Sequence, residues 1–287
     1  MRSFGKMFCW VTVVFLAAGG PSWAFGALGV ESTSVQKLEL PSKPRDVAVS
    51  EDGQWVFVLG EKEVMVYRAG STEPLARINV QQGFDRLVYS GVHQALILTS
   101  QESKSMEVLR LEFIQDVAID GHPFRGPENA RVTIAVFDDY QCPYCARLEP
   151  QLKQVLQKYP NDVKLVIKQF PLQSHPQAMP AAKAALAAHR QGKFWEFHEM
   201  LFEKQKELND AKINEIAQSL GLDMEKFQND VKDPAIQEMI NKDIQNGYQV
   251  QVRGTPTIFV NGKLVRRPDF TGIVQMVEEE LKKTASK

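Results

Sequence analysis

Between Gln36 and Phe113 the chain runs in short stretches of alternating apolar and polar residues, rich in β-branched and aromatic side chains and broken by turn residues, which predicts strands. The predicted strands are Lys37–Leu40, Val47–Ser50, Trp55–Leu59 and Val64–Arg68, then Arg77–Val80, Leu87–Ser90, Ala95–Thr99 and Met106–Phe113. The second four fall on the first four at an offset of 40 residues, with two extra residues before the last pair. Repeats of about 40 residues with four strands each have the period of β-propeller blades. Propellers usually have four to eight blades, so two cannot close a ring. The expectations for such a module are a small sandwich, edges covered by the rest of the chain, or self-association.

A Gly/Pro/Asn-punctuated boundary, "AIDGHPFRGPENARV", follows, and the period then changes. Val132–Phe137 reads as a buried strand, Cys142–Lys158 as a helix and Val163–Phe170 as a second strand. In the helix, Leu148, Leu152, Val155, Leu156 and Tyr159 recur at helical spacing, and Pro150 predicts a kink. Helical patterns fill about 175 to 250, where Phe194, Trp195, Phe197, Leu201 and Phe202 form a core-facing stripe. Two strands around Asn261-Gly262, a pair that favours a type I′ hairpin, precede a last helix over Ile273–Lys283. Strand and helix alternation of this kind predicts an α/β sheet.

The first residues bear on compartment. Arg2 and Lys6 precede an apolar run, Met7 to Ala18, and Ser22-Trp23-Ala24 places small residues at a cleavage position. Residues 1–24 are expected to be a signal peptide cut after Ala24, which predicts a periplasmic or otherwise extracytoplasmic location. Retention of the segment as an anchor would export the remainder equally. Cleavage discards Cys9 and leaves 263 residues with 32 basic against 35 acidic side chains, a net charge near −3. That balance argues against a nucleic-acid partner. Two remaining cysteines are too few for a disulfide-stapled scaffold.

Those two stand in Cys142-Pro143-Tyr144-Cys145, just after a predicted strand and at the start of a helix. Structural zinc needs four ligands, and no His or Cys cluster stands nearby at ligand spacing, so no metal is expected. An inert disulfide closing so small a loop would constrain the unfolded chain little. Redox chemistry is the reading that the strand–helix context favours. At a helix N-terminus the unpaired N–H groups and macrodipole stabilise a thiolate, so Cys142 is the expected nucleophile and Cys145, one turn on, the resolving thiol. Pro143 suits the first helical position. Asp138, Asp139 and Tyr140 flank the turn, and one of them is expected to influence the Cys145 proton. His175, His189 and His198 read as surface or packing residues, and Arg253 as either a site-mouth residue or a solvated one.

The segments "VTIAVFDDYQCPYCARLEP", "KQFPL", "QGKFWEFHEMLF" and "VRGTPTIFVNG" resemble the DsbA-like thiol:disulfide oxidoreductases of the thioredoxin superfamily. The resemblance covers about 120 to 287 and implies a thioredoxin-like α/β fold over 118–287 with a helical subdomain inserted at about 172–250. It implies catalysis by Cys142 and Cys145, supported by Pro143, Tyr144, Thr255 and Pro256, with Pro256 cis and facing the cysteines and Thr255 presenting backbone to a substrate. Tyr144 stands where many relatives carry a His, which leaves oxidising strength open. Ala187 and Asp230 stand near the positions of a second disulfide found in some relatives, so one disulfide is expected. The 36–117 segment, an all-β domain of two repeats, resembles YVTN-type propeller blades. Together these imply an exported enzyme that forms, reduces or isomerises disulfides in exported cysteine-containing proteins. The redox-active Cys142–Cys145 pair would serve in place of a cofactor, with a membrane redox partner. The alternatives are a redox-inactive scaffold that works through the β module, and a reductase dedicated to cytochrome or metal-site assembly.

Overall fold

The computed structural model describes residues 31–81 and 83–285. The expected leader lies outside the described residues, among which no helix is long and apolar enough to cross a membrane. The chain forms two compact units, divided near Val108 and Leu109.

The first unit is built from antiparallel meanders. Strands β1 (Asp46–Val49), β2 (Trp55–Leu59), β3 (Glu63–Arg68) and β4 (Ala76–Asn79) form one sheet in sequence order. Strands β5 (Arg86–Ser90), β6 (Ala95–Ser100) and β7 (Ser105–Arg110) form a three-stranded second sheet. The turn between β1 and β2 is held by Asp52, whose Oδ1 accepts from Ser50 Oγ at 2.6 Å and from the Gln54 N–H at 3.1 Å. Gly53 takes φ +68° there, a left-handed conformation that glycine adopts without strain. Phe57 stacks on Tyr89 at 4.9 Å.

Three expectations for this unit are corrected. Lys37–Leu40 forms no strand, because an extended segment becomes a strand only when a neighbour takes up its backbone groups. Its Leu38 and Leu40 instead lie against Val56, Val58, Met65 and Tyr67 of the first sheet. The stretch expected to open the second repeat, near Arg77, closes the first sheet as β4, with Ile78 opposite Val64 and Arg77 opposite Met65. The last expected strand, Met106–Phe113, ends at Arg110.

The second unit holds a five-stranded sheet in the order β12-β11-β9-β10-β8, made of β8 (Phe124–Arg125), β9 (Val132–Asp138), β10 (Val163–Gln169), β11 (Thr257–Val260) and β12 (Lys263–Leu264). Helix α1 (Pro143–Lys158) crosses between the parallel neighbours β9 and β10. Five helices follow β10: α2 (Ala178–His189), α3 (Phe194–Glu203), α4 (Asp210–Ser219), α5 (Met224–Lys232) and α6 (Pro234–Gln249). Helix α7 (Phe270–Ala285) ends the chain. This is a thioredoxin-like α/β fold carrying a helical insertion. The two-residue β8 carries too little periodicity to be foreseen. The β11–β12 hairpin turns through Asn261 and Gly262, both at positive φ, as a type I′ turn requires.

Alternation along β9 explains how both faces of the sheet are buried. Ile134 and Val136 pack with Leu148, Leu152 and Val155 of α1 and with Ile273 and Val277 of α7. Phe137, on the opposite face, packs with Phe170, Val250, Val252 and Phe259. Gly247 of α6 allows this second layer its spacing, since a Cβ there would lie 2.5 Å from Cε2 of Phe170 and 3.3 Å from Cε1 of Phe137. Both rings are held in the cluster and cannot swing away. Gly247→Ala is therefore expected to lower unfolding free energy by about 1–3 kcal/mol, read as a lower urea midpoint at unchanged slope.

Candidate active site

The strand β9 ends at Asp138, the chain turns through Asp139, Tyr140 and Gln141, and α1 begins. Cys142 is the N-cap residue, with extended backbone (φ −74°, ψ 118°), and Pro143 occupies the first helical position. The turn is tied down by Asp139. Its Oδ1 accepts from the Gln141 N–H at 2.7 Å, and its Oδ2 from the Leu172 N–H at 2.8 Å and His175 Nδ1 at 2.9 Å. Asp139 is thus a loop brace, and its backbone carbonyl also accepts from the Cys142 N–H at 3.0 Å.

Cys142 and Cys145 are free, buried thiols. The Cys142 thiol donates to the carbonyl of Thr255 at 3.2 Å, so the loop before β11 reaches the start of α1 across 113 residues of sequence. The Thr255–Pro256 peptide is cis. Pro143, Thr255 and Pro256 therefore gather around Cys142. Tyr144 points outward at 62% exposure, and the Arg147 guanidinium lies 4.5 Å over its ring. Arg253 is exposed.

The two sulfurs differ in how readily they carry charge. Cys142 is lowered to about 5, first by the hydrogen bond from the Cys145 thiol, then by the Thr255 side chain and the N–H groups of Cys145 and Tyr144, against burial. No acidic residue in the first turn offsets the helix macrodipole there. Cys145 is pushed far upward, first by burial, then by its hydrogen bond to Cys142 and by the charge of Asp138.

Of the three flanking residues, Asp138 raises the Cys145 thiol through its charge, while the Asp139 backbone lowers it. Asp138 is buried, its Oδ1 has no hydrogen-bond partner, and burial followed by the charges of Glu149 and Asp139 raises its carboxyl well above the ordinary range. Tyr140 belongs to a different arrangement. Its hydroxyl meets His198 Nδ1 at 2.9 Å, and His198 Nε2 meets Glu149 Oε2 at 3.1 Å. All three are buried, and they tie the active-site turn, α3 and α1 together. A second buried group joins Lys168 of β10 to Asp243 of α6 at 2.8 Å, with His122 2.5 Å from the same carboxylate oxygen. Asp243 Oδ2 also accepts from the Gln169 N–H at 2.8 Å. The sequence reading missed Glu149, Lys168 and Asp243. The available signals were a carboxylate inside the apolar stripe of α1 and a lysine inside an otherwise apolar strand.

A β-α-β core with a dithiol at the helix start, facing a cis-proline loop, defines the thioredoxin class of fold. Residues 119–279 match the family described as Thioredoxin, and the chain belongs to that family. Among curated proteins, the Na(+)/H(+) antiporter NhaA 3 of Salinispora tropica is 38% identical over 154 residues, covering 53% of this chain and 24% of that protein. The chain thus spans about a quarter of the length of the curated relatives it matches. Among solved structures, the thiol-disulfide exchange protein alpha-DsbA2 from Wolbachia pipientis is 28% identical with a TM-score of 0.51, covering 55% of this chain and 86% of that one. BdbD from Bacillus subtilis is 27% identical with a TM-score of 0.53, covering 60% and 98%.

Alkylation of the reduced protein at graded pH is expected to show Cys142 reacting with a midpoint near 5. A midpoint near the free-thiol value of about 8.5 would contradict this geometry.

Proposed function

We propose that this chain is an extracytoplasmic thiol:disulfide oxidoreductase that uses Cys142 and Cys145 on cysteines of other exported proteins. The observation that carries the reading is the opposed environment of the two sulfurs, with Cys142 favoured as thiolate and Cys145 held as thiol. Likeness to a thiol-disulfide exchange protein supports it. The dithiol is itself the redox centre and calls for no other cofactor.

In the oxidising direction a substrate thiolate attacks Sγ of Cys142 in the Cys142–Cys145 disulfide. The Cys142–Cys145 bond breaks, and the Cys145 sulfur leaves with the electron pair and takes up a proton. We read Asp138, whose carboxyl burial holds well above the ordinary range, as the source of that proton. A second substrate thiolate attacks the substrate sulfur of the mixed disulfide, and Cys142 departs as the stabilised thiolate. Two electrons have then passed from substrate to the pair, and a membrane partner's disulfide would accept them. The reducing direction runs these steps backward, with Cys142 attacking first. Stabilising the Cys142 thiolate stabilises the reduced protein, which makes the disulfide the stronger oxidant. Thr255 and Pro256 would present backbone to the substrate chain above Cys142.

The sign of the pH dependence follows. A thiol whose folded value is depressed contributes stability above its unfolded value, and that contribution is lost as pH falls through the folded value. The reduced protein should therefore lose its stability advantage over the oxidised form between about pH 8.5 and pH 5, as thermal melts of both forms will read. Cys142→Ser should abolish insulin reduction, and Cys145→Ser should accumulate mixed disulfides. Full turnover by Cys142→Ser would overturn the proposal.

The two meanders of the first unit are read as two propeller-blade-like repeats, supported by the repeat offset and the shared strand order.

A further inference from the structure

We propose that two copies of this chain pair by strand exchange, Lys37–Leu40 of each adding as the missing outer strand to β7 of the other, so that four blades close one ring. The inference rests on the reading of the two meanders as blades and is independent of the redox chemistry.

The two repeats are unequal. The first sheet has four strands and the second three, so β7 is an edge strand. Its Met106 and Val108 are 67% and 56% exposed, and Val88 of β5 is 58% exposed. An open edge carrying apolar side chains is a template for another strand.

The sequence holds one strand too many and the structure one too few. Lys37–Leu40 corresponds at the repeat offset to the segment that forms β4, yet it pairs with nothing. In the first repeat that segment closes the blade against β3. The equivalent partner of Lys37–Leu40 is therefore the strand equivalent to β3, which is β7. Within one chain Lys37–Leu40 is not on β7. Leu38 and Leu40 pack with Val56 against the Val58, Met65 and Tyr67 cluster of the first sheet. The segment is thus held on the first sheet with its own backbone in no sheet.

Carrying the β3–β4 register over fixes the contacts. Ile78 opposite Val64 becomes Leu38 opposite the partner's Met106, and Arg77 opposite Met65 becomes Lys37 opposite the partner's Glu107. The first pair is apolar and the second of opposite charge, both favourable cross-strand neighbours. Because each chain both gives and receives a strand, the contact is two-fold and closed, and only the short outer and inner edges of each blade remain. Four blades is also the lower end of the range for closed propellers.

The test begins with light scattering on the purified exported protein, where the mass of two chains is expected. A Leu38→Cys chain is then mixed with a Met106→Cys chain, both in a Cys142→Ser/Cys145→Ser background, and oxidised. A covalent heterodimer that forms only in the mixture supports the register. Val108→Lys should shift the protein to monomer while insulin reduction and the far-UV circular dichroism of the folded protein stay unchanged. A monomeric mass, open oligomers larger than a pair, or a cross-link formed only within a chain carrying both cysteines would each overturn the proposal. Loss of insulin reduction in Cys142→Ser bears on the redox reading alone, so the two can fail separately.

Discussion

The site depends on a single asymmetry: two thiols three residues apart occupy surroundings that treat negative charge in opposite ways. Cys142 sits at the N-terminus of α1, where N–H groups, the Cys145 thiol and the Thr255 side chain all favour the anion. Cys145, one turn deeper, is buried, and burial, its hydrogen bond to Cys142 and the charge of Asp138 all oppose the anion. The β9–α1 junction sets this difference, because it brings the chain out of the sheet at Asp138 and begins the helix at Pro143. The loop that carries Thr255 and Pro256 then covers Cys142 from the far end of the sequence.

Burying that many polar groups around two thiols is costly unless each is matched. Asp139 is matched by two backbone N–H groups and His175, and so gives the turn its shape. Tyr140, His198 and Glu149 satisfy one another and in doing so fasten the inserted helices to α1. Lys168 and Asp243 do the same between β10 and α6. Asp138 is not fully matched, since its Oδ1 has no hydrogen-bond partner. An unsatisfied buried carboxyl is expensive.

The first unit follows a different rule. Its strands are stabilised by backbone pairing across edges, and an edge is complete only when a neighbour exists. That is why Lys37–Leu40, with a strand-like pattern, is not a strand, while Ala76–Asn79, with a similar pattern, is.

Local periodicity depends on which face each residue presents, and that is written in the chain itself. The strands β9 and β10, the helix α1, the Asn261-Gly262 hairpin and the helical stretch before it were all legible for that reason. So was the place of Cys142-Pro143-Tyr144-Cys145 at the start of a helix, because helix-terminal position and residue type are both local. Which acid braces the turn was not legible. Asp138 and Asp139 are adjacent in sequence, and only the tertiary structure shows that one keeps an unpartnered buried oxygen and the other holds the 172–175 segment. Glu149, His198, Lys168 and Asp243 were hidden for the same reason, since their partners lie 49 and 75 residues away in sequence. By itself the sequence determined the order of the long elements of the second unit and the place of the two thiols at a helix start. Tertiary structure alone decided which distant polar groups became neighbours, because burial and pairing depend on the assembled fold and leave no period along the chain.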